Sequence, residues 1–311
     1  MASAARGWRV LVRGELCPLT RSGKASCRRC QEVCPVQAVE LAGGPALRGD
    51  RCTGCGACAA VCPTGALRSE GVLPWQGPQE RTLRVSCGPA AQRGDWEVPC
   101  LAAVPAPALA AAVDEGVREV ALVRGDCSRC VNGAAVQARG DLVRWVRAVA
   151  AAVGVAELEV TVTPRSGFAT VMAPAVDRRT LLRFWRGPEV EERRPRWRAG
   201  AAGKGLPFGT VRVVGDCFLC PVCVHACTAG ALAIEGGRLF FFGDRCNGCG
   251  ACADGCGFRA LTVDPRYTPE TATLAEGRAF VCKLCGAESF GTGEVCERCC
   301  FQRERCAASG S

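Results

Sequence analysis

One histidine, one tyrosine and two methionines are all that 311 residues contain of those types, and aromatic residues make up 6%. A single imidazole, His225, cannot build a hydrolytic or general-base constellation without partners, so catalysis of that kind has no support here. No GxxxxGK[ST] loop is present, and no GxGxxG follows a strand. That removes the sequence basis for a bound nucleotide or flavin. The most apolar stretch, LAAVPAPALAAAV, is interrupted by Pro105 and Pro107. It falls short of the roughly 20 residues that a membrane-spanning helix needs. The N-terminal MASAARGWRVLVRGEL lacks both a signal-like apolar run and an adjacent arginine pair. The expectation is a cytoplasmic chain with no membrane segment, in a compartment that keeps thiols reduced.

Cysteine is unusually frequent, at 26 copies, and its spacing carries the chemistry. GDCFLCPVCVHACTAGAL supplies Cys217, Cys220, Cys223 and Cys227, and DRCNGCGACADGCGFRAL supplies Cys246, Cys249, Cys252 and Cys256. Both have the spacing Cys-x2-Cys-x2-Cys-x3-Cys. Three closely spaced cysteines let one loop hold three corners of an Fe–S cubane, and the fourth reaches the neighbouring cluster. One set is therefore Cys217, Cys220, Cys223 and Cys256, and the other Cys246, Cys249, Cys252 and Cys227. DRCTGCGACAAVCPTGAL and ASCRRCQEVCPVQAV repeat the theme nearer the N-terminus. They yield Cys52, Cys55, Cys58 and Cys34 as one set, with Cys27, Cys30 and Cys62 in the other. The remaining corner falls to Cys17, separated from Cys27 by nine residues rather than two, with PLTRSGKAS read as an insertion that loops out and returns. Without Cys17 that site would hold a labile or three-iron cluster. The alternative for both regions is zinc or reduced structural thiols, but zinc sites usually take CxxC pairs.

After each fourth cysteine comes PVQAVEL, PTGALRSE, TAGALAIE or GFRALTVD, which reads as a turn, a helical step and a short strand. The repetition predicts two pseudo-symmetric modules, 7–71 and 206–267. In these segments the chain resembles the bacterial-type 2[4Fe-4S] ferredoxin family. The resemblance implies four [4Fe-4S] clusters and electron transfer. Thr228 and Gly257 stand where that family has proline, as Pro35 and Pro63 do, which is expected to alter turn stiffness. Modules of about 60 residues bury little apolar surface, so the clusters would serve as their cores.

The segment between them, 80–182, is poor in cysteine and reads as α/β. RTLRVSC, DWEVPC, VREVALV and VAELEVTV are extended, PALAAAVDEG is a helix, and GAAVQARGDLVRWVRAVAAAVG is one long amphipathic helix. This order implies a parallel sheet, with Cys87, Cys100, Cys127 and Cys130 at its carboxyl-end edge, where such sheets bind ligands. Through VPC, the strand and GDCSRC, this segment resembles the delta-subunit domain of methyl-viologen-reducing hydrogenase, which implies a [2Fe-2S] cluster. Zinc, a Cys127/Cys130 redox dithiol and inert thiols remain open.

Residues 183–205 read as a basic linker whose Trp185 and Trp197 pack on a neighbouring module. The tail, 278–303, sets Cys282 and Cys285 against Cys296 and Cys299, the two knuckles of a ribbon that holds zinc or rubredoxin-type iron. Cys300 and Cys306 are left over, either being a substitute for Cys299. The formal charge of +9 counts thiols as neutral. Four clusters of about −2 each and two further four-thiolate sites would bring the loaded protein near about −3. His225, between two ligands, is expected to hydrogen-bond near a cluster.

The expected fold class is α+β: two dicluster modules flanking an α/β domain, plus a small four-cysteine ribbon. The expected function is an electron-transfer subunit working between a redox donor and acceptor, with a catalytic oxidoreductase subunit as partner. Two alternatives stand beside it. One is a reductase using the Cys127/Cys130 dithiol, and the other a redox-sensing factor that binds nucleic acid or protein, with nucleic acid disfavoured for want of a base-reading helix.

Overall fold

The computed structural model describes residues 8–70, 81–90, 92, 94–164, 196–203, 206–300 and 302. In the first region the order is β1 (Arg9–Val12), α1 (Pro18–Arg21), α2 (Arg29–Glu32), β2 (Val39–Glu40), β3 (Ala46–Leu47), α3 (Ala57–Val61) and β4 (Leu67–Glu70). β1 pairs antiparallel with β4, Val12 opposite Leu67, and β2 with β3 forms a short hairpin. α3 starts after Gly56, whose φ of 77° only glycine adopts cheaply. It stops at Cys62, which is extended, a conformation that Pro63 favours in the residue before it.

The middle region comprises β5 (Thr82–Cys87), β6 (Trp96–Val98), α4 (Ala106–Asp114), β7 (Glu119–Arg124), α5 (Gly133–Arg139), α6 (Leu142–Ala152) and β8 (Glu159–Pro164). Its sheet has the order β6-β5-β7-β8 and is parallel throughout. Leu83, Val85, Trp96, Leu109, Val120 and Val146 lead a core of carbon side chains under the helices. Pro105 and Pro107 flank the start of α4, where a missing N–H costs nothing. The single long helix expected over GAAVQARGDLVRWVRAVAAAVG is instead two. Gly140 breaks it with a φ of 84°, and the Asp141 carboxylate accepts from Arg144 N at 3.1 Å to cap α6.

The second module repeats the first as β9 (Thr210–Val213), α7 (Val222–Ala226), β10 (Leu232–Glu235), β11 (Arg238–Phe242), α8 (Ala251–Gly255) and β12 (Leu261–Asp264). β9 pairs with β12 as β1 does with β4. A further strand, β13 (Thr271–Glu276), lies beyond residue 267 and pairs antiparallel with β11. β14 (Arg278–Val281) and β15 (Glu288–Gly291) form the tail hairpin. Trp197 packs edge-on against Phe208 at 5.1 Å, and Phe208 with Leu206 completes the α/β core. Most of the 183–205 segment, Trp185 included, lies outside the described residues, as does Cys306. Among the described residues no helix is long and apolar enough to cross a membrane.

The repeated pattern after each fourth cysteine differs from its sequence reading. The helical turn lies before that cysteine, and the residues after it form a turn that closes three positions later in left-handed backbone. Gln37 (φ 50°), Gly65 (68°), Gly230 (62°) and Arg259 (48°) occupy the four equivalent places. The turn brings the next amide onto the cysteine: Ala38, Ala231 and Ala260 donate to Cys34, Cys227 and Cys256 Sγ at 3.2, 3.2 and 3.4 Å. Proline is not needed for it. Cys227 and Cys256, followed by Thr228 and Gly257, have ψ of 100° and 107°, against 110° at Cys62.

Candidate metal centres

Folding gathers the cysteines of each module into two groups, and the fourth member crosses over. Cys30 is surrounded by the charges of Cys62, Cys27 and Cys17, and Cys17 by those of Cys62 and Cys27. Cys55 feels Cys34 and Cys52. In the second module Cys223 neighbours Cys220, Cys217 and Cys256, while Cys246 neighbours Cys249 and Cys227. The stretch between Cys17 and Cys27 does loop out. A short 3-10 turn (Gly14–Leu16) delivers Cys17, α1 leaves it, and the Thr20 hydroxyl donates back to Cys17 O at 2.7 Å.

Burial, with mutual repulsion added, pushes the Cys30, Cys58 and Cys223 thiols up to about 12, Cys246 to about 11, and Cys252 in the same direction. Four thiolates packed together in apolar surroundings oppose one another's ionisation, and a cationic core relieves that cost by displacing the protons. Val10, Val39 and Leu47 wall a cavity of about 300 Å³ that Cys34, Cys52, Cys55 and Cys58 line. This soft all-sulfur donor set fits an iron–sulfur cluster. The loops need their glycines: a Cβ at Gly248 (φ 64°) would sit 2.3 Å from Phe208 O.

In the α/β domain the strand ends bring four cysteines to one pocket of about 310 Å³. Cys87 closes β5, Cys100 comes just after β6, and Cys127 and Cys130 lie between β7 and α5. Gly125 N donates to Cys87 Sγ and Asn132 N to Cys130 Sγ, each at 3.4 Å, as suits thiolate ligands. Gly133 is forced by crowding, since a Cβ would lie 1.9 Å from Cys127 O. Burial raises the Cys87 thiol, and burial together with the charges of Cys55, Cys87 and Cys130 lifts Cys100 to about 12. Two lining residues give no signal in the sequence: Arg124 and Asn132, whose Nε and Oδ1 are buried without a hydrogen-bond partner in the protein. A buried guanidinium N–H beside four sulfurs suits an anionic group. Cys100 also packs in one apolar cluster with Cys55 and Cys58, so this pocket abuts the first module.

The tail behaves differently. Cys282, Cys285, Cys296 and Cys299 place their sulfurs within 4.8 Å of one another, close enough for one shared ion. Cys285 and Cys296 Sγ are 3.6 Å apart. Cys296 N donates to Cys282 Sγ at 3.2 Å, and this bond leads the effects that hold the Cys282 thiol down to about 6. Hydrogen bonds to Cys285 and Cys296 keep the proton on Cys299, at about 12. Cys299, not Cys300, completes the group. Thr292 ties the hairpin to the second module, accepting from Cys217 N at 2.8 Å and donating to Cys217 O at 3.0 Å. His225 lies on α7 between Cys223 and Cys227.

A family model described as the 4Fe-4S dicluster domain matches residues 25–66. An uncharacterized ferredoxin of Methanocaldococcus jannaschii is 44% identical over 48 residues, which is 15% of this chain and 77% of that one. A second uncharacterized ferredoxin of that organism is 52% identical over 42 residues, 13% of this chain and 25% of its own length. The ferredoxin-type protein NapF of Escherichia coli K12 is 41% identical over 63 residues, 18% of this chain and 37% of NapF.

Proposed function

This chain belongs to the ferredoxin family, and on that premise we propose that it is the electron-conducting subunit of a larger redox complex. It is an iron–sulfur electron carrier. The finer reading assigns four [4Fe-4S] clusters, held by Cys17, Cys27, Cys30 and Cys62; by Cys34, Cys52, Cys55 and Cys58; by Cys217, Cys220, Cys223 and Cys256; and by Cys227, Cys246, Cys249 and Cys252. A [2Fe-2S] cluster is assigned to Cys87, Cys100, Cys127 and Cys130, and zinc to the tail. When bound, such clusters supply reversible one-electron chemistry, and the protein's part is to hold, shield and tune them.

The single observation that carries this reading is the crossed grouping of cysteines, repeated in two modules. Cys62 and Cys256 each leave their own run for the facing one. In the middle pocket, the convergence of Cys87 and Cys100 on Cys127 and Cys130 favours a four-thiolate ligand set over a two-cysteine dithiol. The catalytic subunit is inferred from the ferredoxin character of the chain and from the absence of a substrate site recognisable in its sequence.

Anaerobic native mass spectrometry of the protein from its own cells tests all of this at once. The expected mass is that of the chain with four [4Fe-4S] units, one [2Fe-2S] and one zinc, with a larger subunit attached. Four cubanes with an unmetallated middle domain and no partner would instead favour dithiol chemistry at Cys127 and Cys130.

A further inference from the structure

The departure from regular spacing in the first module lands on a defined place in the second. α1, inside the insertion, packs beside α7. The backbone N and the hydroxyl of Ser26 both donate to Asp254 Oδ2, each at 2.8 Å. Arg29, half-buried, donates from Nη2 to Gly248 O at 3.0 Å. A Cβ on Gly255 would stand 3.6 Å from Ser22 Oγ, so the two surfaces approach closely there as well. Gly248 lies between Cys246 and Cys249, and Asp254 between Cys252 and Cys256. The contacts therefore fall on the loop and helix that carry one candidate ligand set. Exposed serine–aspartate contacts alone would contribute little. Their convergence on that loop, together with a guanidinium at its carbonyl, is what points to a role.

We propose that the Cys17–Cys27 insertion is an internal docking loop, which seats the first module on the Cys246–Cys252 loop of the second and delivers Arg29 as a fixed positive charge that raises the reduction potential of the cluster held there. This rests on the assignment of [4Fe-4S] clusters to the two modules. Reduction adds negative charge to an already anionic centre, and a cation fixed beside it stabilises the reduced form more than the oxidised one. The charge of Arg29 acts on Cys249, and so does that of Cys27, which makes these two cysteines the facing pair across the module boundary.

The test is an anaerobic potentiometric titration followed by EPR, with iron and acid-labile sulfide counted on the same samples of the full chain. Arg29→Gln is expected to lower the midpoint of one cluster and leave the others in place. Arg29→Lys should restore part of the shift, and Ser26→Ala, which removes one donor to Asp254 without changing any charge, should move the same cluster in the same direction by loosening the dock. An Arg29→Gln protein with every midpoint unchanged, or with all of them moved equally, overturns the proposal. Should Ser26→Ala fail to fold, Arg29→Gln decides alone, since it keeps a donor at a half-buried site. A wild-type count without four cubanes overturns the cluster assignment and this proposal together. Four cubanes with no selective shift overturns this proposal only.

Discussion

The α/β domain and the two cysteine-rich modules solve the problem of a core with different matter. Leu83, Val85, Trp96, Leu109, Val113 and Val120 fill the first with carbon, each at 2% exposure or less. The apolar clusters of the modules are small and built around sulfur, with Cys55 and Cys58 in one and Cys223 and Cys252 in the other. Their strands run two to five residues. Chains this short in regular structure leave conformational entropy that metal–thiolate bonds would offset, whereas the α/β domain offsets its own by burial.

The largest effect that would break this contrast is anaerobic removal of iron. Amide exchange should lose protection across 8–70 and 206–264, while β5, β7, α4 and α6 keep theirs. Protected modules in the iron-free chain would refute the distinction. The converse experiment is Leu109→Ala, a fully buried carbon side chain. It should cost the α/β domain roughly 3 kcal/mol in denaturant unfolding, with bound iron in the second module unchanged.

A finer probe uses the pseudo-symmetric pair Gly56 and Gly250, both left-handed at φ 77° and 83°. Backbone strain from alanine should be similar in each, about 1 kcal/mol. Only at Gly56 would the new Cβ also strike neighbours, Ser69 Oγ at 2.7 Å on β4 of the same module and Ala103 Cβ at 2.8 Å on the loop after Cys100, which covers the first module there. Gly56→Ala should therefore destabilise more than Gly250→Ala, and equal effects in thermal unfolding would argue against that packing. Smallest is Thr292→Val, which leaves Cys217 N without its acceptor. It should cost about 1 kcal/mol, read as faster exchange of the Cys217 amide with tail metal retained.

Legibility in the sequence tracks locality. Cys-x2-Cys-x2-Cys places three thiols on one loop whatever surrounds it, and the alternation of β-branched runs with alanine-rich segments announces strands and helices in order. The break at Gly140 and Asp141 was visible in principle as a glycine followed by a capping aspartate. The apolar period running through both helices concealed it. β13 gave no signal, because TATLAE is a mostly exposed strand with little alternation. The proximity of Cys62 to Cys27 and Cys30 follows from the spacing, whereas that of Cys17 breaks the regular spacing and that of Cys100 to Cys55 leaves no mark in it.

By itself, the sequence determined which thiols lie on which loop, since chain connectivity keeps residues two or three apart within reach of one site. Tertiary structure alone decided which loops meet: Cys100 against the Cys55 loop, Thr292 on Cys217, and Ser26 on Asp254 across 228 positions. Those contacts depend on the summed packing of distant segments and on charges that act through space, and neither leaves a mark in local spacing.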